Sequence, residues 1–346
     1  MAAKQRWLED SLQRIGKVAA ETLLPIVYGP EWGYRHRARM SVRGMPAHKG
    51  ALVGFHERKS SYVADMRQCN ILPSRISRLI PRLREVFTSL EMRERLPQVE
   101  IALGEDVDVL VIRNLDPVSE SDASKLRALA DAEGFWLWLQ PKGPATAAPF
   151  HPLSMPCLDY TLPEFGIRVA FRPTDFTQVN HGVNRILVRR AVRLLDPQPG
   201  DRVADLFCGI GNFSLPLATT GTTVVGIEGA AELVERAVSN AAANGLDSRA
   251  TFKCADLFEE GAATLRGLGP FDKMLIDPPR SGAVEVVKAL PDEWPRKIVY
   301  VSCDSATLAR DAGILVHSKG FRLAAAGVVN MFPHTTHVES IALFER

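Results

Sequence analysis

The 346-residue sequence predicts an α/β protein: a doubly wound, Rossmann-like, mainly parallel sheet preceded by a smaller α+β domain. Beyond residue 172, short apolar runs alternate regularly with helical segments, which is the order expected of βαβ units. These runs are apolar on both faces, as in parallel sheets covered by helices. A glycine-rich turn joins the first run to the next helix. We therefore expect two domains, residues 1–172 and 173–346, with the boundary near Arg172.

The first domain should begin with an amphipathic helix. Its apolar face would contain Trp7, Leu8, Leu12 and Ile15, and Gly16 would end it. Family comparison, given below, suggests that residues 1–31 pack on the second domain.

An arginine-rich strand is predicted at residues 34–42. Strand geometry would place Arg35, Arg37 and Arg39 on one face. A hairpin should follow at residues 99–114, then a helix capped by Ser121 and another strand. The three guanidinium groups could contact nucleic-acid phosphates or form a solvated strand face.

In the second domain, strands and helices alternate. We predict helices at 184–195, 212–218 and 231–244, and strands at 202–207, 223–228, 250–253, 273–277 and 297–301.

The chain as a whole is not strongly basic, because it contains 42 Lys and Arg residues and 40 Asp and Glu residues. A nucleic-acid surface would have to be a local patch. Five scattered cysteines give no disulfide pattern, and neither a signal peptide nor an apolar span of about 18 residues is evident. We expect a cytoplasmic protein without membrane insertion.

The glycine-rich turn predicts a nucleoside cofactor. Asp205 ends the first strand, Gly209 and Gly211 follow, and Glu228 ends the next strand, where it could accept ribose hydroxyls. Ser214 replaces the third glycine of a dinucleotide motif, which favours S-adenosylmethionine over NAD. A plain tight turn is the alternative. Similarly, Asp256 could reach an adenine amino group or be a solvated turn residue.

Three later motifs indicate chemistry on a pyrimidine carbon. Asp277 begins an Asp-Pro-Pro-Arg turn that points a carboxylate into the crevice, with Arg280 in place of a base-stacking aromatic. Cys303 follows a strand, where a nucleophile would lie, although buried cysteines are commonly core residues. Glu339 could remove a proton or be a salt-bridged strand residue.

These segments resemble the RNA uracil-C5 methyltransferase family, particularly its branch acting on 23S rRNA. The similarity covers essentially the whole chain and is specific at residues 175–180, 205–213, 277–280, 301–311 and 331–339. The resemblance implies that Cys303 is the nucleophile and Glu339 the base. It also implies that the cofactor and uracil pockets are lined by Gln178, Phe207, Asn212, Glu228, Asp256 and Asp277.

The resemblance extends to residues 32–41, which supports Arg35, Arg37 and Arg39 as RNA contacts. Relatives of this branch also carry an N-terminal RNA-binding barrel, the TRAM domain, and a four-cysteine [4Fe-4S] cluster. Here only Cys69 matches a cluster-ligand position, and one thiolate cannot hold the cluster. We expect a truncated or misassigned start, or a cluster-free variant.

Together these features predict a monomeric enzyme that methylates C5 of a uracil in 23S rRNA with S-adenosylmethionine, through a Cys303–C6 adduct. The alternatives are a tRNA uracil-C5 methyltransferase and a non-catalytic rRNA-binding or assembly factor on the same fold.

Overall fold

The computed structural model describes residues 1–45, 50–154 and 158–346, which form two compact units. Unit 1 comprises Met1–Gly29, Thr161–Val169 and Gly182–Arg346, and unit 2 comprises Pro30–Tyr160 and Ala170–His181. The first helix is therefore grouped with the later residues, unlike in a single division near Arg172. The division into domains 1–172 and 173–346 stays a prediction.

The described residues contain the following elements. The helices are α1 (Ala2–Ser11), α2 (Ser74–Ser77), α3 (Leu79–Ser89), α4 (Glu120–Glu133), α5 (His181–Leu195), α6 (Ser214–Ala218), α7 (Ala231–Ala243), α8 (Gly261–Leu268), α9 (Val284–Ala289) and α10 (Ser305–Lys319). The strands are β1 (Thr22–Leu23), β2 (Arg37–Met45), β3 (Gly50–Gly54), β4 (Gln98–Leu103), β5 (Asp108–Arg113), β6 (Trp136–Gln140), β7 (Ala148–His151), β8 (Asp159–Leu162), β9 (Ile167–Ala170), β10 (Arg202–Leu206), β11 (Thr223–Glu228), β12 (Ala250–Cys254), β13 (Lys273–Ile276), β14 (Lys297–Ser302), β15 (Arg322–Val329) and β16 (Glu339–Glu345).

Unit 1 contains an eight-stranded sheet in the order β1-β15-β16-β14-β13-β10-β11-β12. Its strands pair in parallel except for β16, which runs antiparallel to both β14 and β15. Ser340 lies opposite Ser302, and Glu339 lies opposite Val329. Because β16 is reversed, its first residue lies at the edge where the parallel strands end.

The N-terminal helix buries a narrower face than the sequence predicts. Leu8 and Leu12 are buried in the core, whereas Trp7 and Ile15 are 62% and 49% exposed. The prediction of a four-residue apolar face was therefore wrong. Trp7 lies on the solvent side of α1, and the wider spacing of the π-helical turn at Leu12–Gly16 turns Ile15 away from the core.

Unit 2 contains a six-stranded sheet in the order β3-β2-β4-β5-β6-β7, with a core formed against α2, α3 and α4. The hairpin predicted at residues 99–114 is present as β4 and β5. The side chain of Ser119, rather than the predicted Ser121, caps α4 by accepting from the Asp122 N–H. β8 and β9 form a separate two-stranded sheet.

Candidate active site

The carboxyl ends of the parallel strands place the predicted cofactor residues along one edge of the sheet. Leu206 of β10 is in register with Ile227 of β11 and with Ile276 of β13. Phe207, Glu228 and Asp277 therefore follow or end three adjacent strands. Ligands of such sheets bind in the crevice outside these ends.

The turn after β10 requires an unusual backbone. Gly209 and Gly211 have φ values of +54° and +95°, and Phe207 adopts φ +62° despite its side chain. A Cβ on Gly209 would meet no heavy atom of the described residues within 4 Å, so the backbone there is open to a ligand. Ser214, at the position of the missing third glycine, donates to Asp205 Oδ2 at 2.5 Å.

Glu228 is held with its carboxylate against this turn. Its two oxygens accept from the N–H groups of Gly209 and Ala230, each at 3.1 Å. A carboxylate oxygen can accept more than one hydrogen bond, so both oxygens keep capacity for hydroxyl donors. This arrangement fits a ribose.

Asp205 supplies an unsatisfied buried acceptor. It is fully buried, and within the described part of the chain Oδ1 has no hydrogen-bond partner. Burial first, and then the charges of Asp277 and Glu228, raise the pKa of Asp205 to about 7. Three carboxyl groups at one strand edge favour a cationic ligand over an anionic pyrophosphate. The residues present fit S-adenosylmethionine, whose sulfonium and ammonium groups are positive.

Two further predicted cofactor residues are held by local contacts. Asn212 exchanges amide hydrogen bonds of 2.9 and 3.1 Å with the buried Asn184, which sequence reasoning missed. Asp256 is exposed, and its Oδ1 accepts from the Phe258 N–H at 2.8 Å. The Phe258 ring lies 5.5 Å from that of Phe207.

Cys303 sits in a turn whose two sides are fixed. Ser302 Oγ donates to the Asp304 carbonyl at 2.9 Å and accepts from the Asp304 N–H at 3.1 Å. Asp304 then caps α10 by accepting from the N–H groups of Ala306 and Thr307. The turn presents a free, half-buried thiol.

Three ionisable groups come together at this end of the sheet. Burial first, then the charges of Glu339 and Asp277, raise the pKa of the Cys303 thiol to about 11, while Arg280 lowers it. Burial first, and then the charge of Asp277, raise the pKa of Glu339 to about 8, while the charge of Lys4 lowers it. The pKa of Asp277 is raised to about 7 by burial.

The Asp-Pro-Pro-Arg loop is anchored from behind by buried side chains. The Asp311 carboxylate accepts from the Tyr300 hydroxyl and the Ala283 N–H, each at 2.7 Å. Arg310 pairs with Asp311 and donates to the Ser281 carbonyl at 2.9 Å. No local sequence pattern identified this network, which fixes the loop that carries Asp277.

The predicted RNA contacts lie in unit 2, where Arg35 precedes β2. Arg37 donates to the carbonyl oxygens of Thr174, at 3.0 Å, and Asp175, so its guanidinium is used within the unit. Arg39 pairs with Glu100 at 2.9 Å but stays 61% exposed. Contact of the three arginines with RNA stays a prediction.

Gln178 and Cys69 also belong to unit 2. Gln178 is half-buried, and its role toward the cofactor stays a prediction. Cys69 is a free thiol packed against the hydrophobic core. Among the residues placed by the structure, no three His, Cys, Asp or Glu side chains form a metal-binding group. The described thiols do not fit a four-cysteine cluster, and Cys157 lies outside the described residues.

A doubly wound sheet with an acidic, glycine-lined crevice at its strand ends defines the class: a Rossmann-like, S-adenosylmethionine-dependent methyltransferase. The comparisons agree. A solved Pyrococcus abyssi tRNA (uracil-54, C5)-methyltransferase, in complex with S-adenosyl-L-homocysteine, has this fold. The TM-score is 0.76 at 23% identity, over 99% of this chain and 83% of that one.

A family profile described as tRNA (Uracil-5-)-methyltransferase matches residues 3–346. The chain is 60% identical to a Nitrosospira multiformis protein and 58% identical to a Cupriavidus pinatubonensis protein, covering all of this chain and 79% and 76% of theirs. Both relatives are named 23S rRNA (uracil(1939)-C(5))-methyltransferase RlmD. The chain belongs to the RNA uracil-C5 methyltransferase family.

The predicted fold class and family are thereby confirmed, and with them an S-adenosylmethionine-dependent enzyme class. Across residues 1–45, 50–154 and 158–346, no helix combines the length and apolar character needed to cross a membrane.

Proposed function

We propose that this protein methylates C5 of a uracil in 23S rRNA, with Cys303 as covalent nucleophile and Glu339 as general base. The observation that carries the proposal is the grouping of Cys303, Asp277 and Glu339 beside a crevice that fits the methyl donor. The names and 58–60% identity of the relatives support the 23S rRNA substrate. A cytoplasmic location and a monomeric state are part of the proposal.

Addition to the uracil ring begins the reaction. The Cys303 thiolate forms a bond to C6, and the electron pair of the C5–C6 double bond moves into an enolate that makes C5 nucleophilic. A thiol with a raised pKa is little ionised at neutral pH, so its proton must pass to water or to the neighbouring Asp277 carboxylate as the C–S bond forms. Arg280 favours the thiolate.

The cofactor, when bound, supplies an electrophilic methyl group to C5. Asp205, Glu228 and Asn212 would hold it at the strand ends, with Asp256 on the adenine side. C5 then carries both a methyl group and a proton. The Glu339 carboxylate removes that proton, the C5–C6 double bond reforms, and the Cys303 thiolate is expelled. A base with a pKa near 8 matches this task near neutral pH.

A 5-fluorouridine substrate tests the covalent step, because fluorine at C5 blocks the final proton removal. The protein should form an adduct with fluorinated 23S rRNA and methyl donor that survives a denaturing gel. Cys303→Ala should abolish the adduct. Cys254→Ala, which removes an exposed thiol at the end of β12, should preserve it.

The other outcomes discriminate between the alternatives. An adduct with fluorinated tRNA and none with 23S rRNA would establish the tRNA enzyme. RNA binding with intact cofactor binding but no adduct would overturn the proposed chemistry and favour a non-catalytic rRNA-binding factor.

A further inference from the structure

A lysine on the first helix reaches the strand ends where Glu339 lies. Lys4, on α1, is half-buried, and its Nζ donates to Asn330 Oδ1 at 2.8 Å and to the Phe332 carbonyl at 2.9 Å. Asn330 directly follows Val329, which is the register partner of Glu339. The ammonium is therefore fixed beside the segment that leads into the proposed base.

The surroundings of Glu339 do little to stabilise a negative charge on its carboxyl group. It is 5% exposed, and Oε2 has no hydrogen-bond partner among the described residues. The ionisable groups that act on it are Asp277 after β13, Cys303 after β14 and Lys4 from α1. Asp277 favours the protonated form, whereas Lys4 favours the charged form.

The same attraction acts on Lys4. Burial lowers the pKa of its ammonium, while the charge of Glu339 raises it. Each charged group thus offsets part of the other's desolvation. The helix that carries Lys4 is held firmly, because Leu8 and Leu12 are buried in the unit 1 core.

We infer that Lys4 is a positioning residue for catalysis: its ammonium, anchored on Asn330 and Phe332, increases the fraction of Glu339 in the carboxylate form that accepts the C5 proton. This inference rests on the proposed role of Glu339. It makes the first helix part of the chemical machinery rather than a structural addition to the sheet.

The first experiment titrates the Glu339 carboxyl directly by carbon-13 NMR of glutamate-labelled protein without RNA. A Cys303→Ala background removes the neighbouring thiol, and Glu339→Gln assigns the signal. Lys4→Met should move the Glu339 midpoint to higher pH, and Lys4→Arg should restore it. Arg6→Met is the matched control, since Arg6 is exposed on the same helix, and it should leave the midpoint unchanged.

The second experiment follows proton removal in the reaction, in chains that retain Cys303. Single-turnover release of tritium from RNA containing 5-tritiated uridine is measured against pH with saturating methyl donor. In Lys4→Met the acidic limb should move to higher pH, and release at pH 7 should slow about tenfold if the Glu339 pKa rises by about one. Lys4→Arg and Arg6→Met should keep the original limb.

The outcomes separate the two proposals. An unchanged Glu339 midpoint in a folded Lys4→Met protein overturns the inference and leaves Lys4 as a structural tether, as does a lowered unfolding temperature with an unchanged pH profile. If Lys4→Met does not fold, a midpoint in Lys4→Arg identical to that of Arg6→Met still supports the charge requirement, and a higher one contradicts it. Wild-type tritium release by Glu339→Gln would instead refute Glu339 as the base.

Discussion

Replacing Glu339 with glutamine should stabilise the protein, and increasingly so as pH rises. Burial raises the pKa of this carboxyl from its ordinary 4.5 to about 8. Between these values the unfolded chain ionises Glu339 while the folded protein keeps it protonated, so the wild type loses stability as pH rises. At about 1.4 kcal/mol per pKa unit, the loss is up to about 5 kcal/mol and is complete above pH 8.

Glutamine has a similar shape and does not titrate, so the variant avoids this loss. Urea unfolding of the wild type and Glu339→Gln at pH 5 and pH 9 measures the effect. The stability advantage of the variant should be small at pH 5 and reach several kcal/mol at pH 9. An advantage that is equal at the two pH values, or that shrinks as pH rises, would refute the assignment of a buried, reluctantly charged base.

Two further predictions, each with a control substitution, concern the packing and the cofactor site of unit 1. Gly16→Ala should lower the free energy of unfolding, measured with urea, by about 1–3 kcal/mol, because the new Cβ would clash with the Ala309 carbonyl oxygen of α10. Gly267→Ala is the control and should have little effect, because its Cβ would meet no described heavy atom within 4 Å. Glu228→Ala should weaken S-adenosyl-L-homocysteine binding, measured by calorimetry, by about 10-fold or more, because a carboxylate hydrogen bond contributes about 1.5–3 kcal/mol. Glu232→Ala on α7 is the control and should bind normally. Equal affinities of the two variants for this ligand would contradict the ribose assignment.

Much of the parallel sheet could be predicted because its strands carry their own signal. The strand predicted at residues 223–228 is β11, and the one at 202–207 is β10 within one residue. These strands are apolar on both faces and are bounded by turns, so local pattern suffices. The motifs likewise led to Cys303 and Glu339, although their chemical roles stay predictions.

Long-range contacts explain what the sequence could not reveal. The alternation of arginines on β2 is real, but Arg37 and Arg39 meet Glu100, which lies on β4 and has no local relation to them. No sequence pattern indicated a role for Lys4, because its partners, Asn330 and Phe332, are more than 320 residues away in the chain. Such contacts depend on the fold rather than on spacing.

The placement of β16 constrains the order in which the large sheet can assemble. Residues 339–345 form an interior strand, between β14 and β15, rather than an edge. As the polypeptide leaves the ribosome, β14 and β15 have no shared partner until this segment emerges. β14 already pairs with β13, whereas β15 and its partner β1 can join the rest of the sheet only when residues 339–345 are in place. Because β16 begins with Glu339, the proposed base takes its place only as the sheet closes.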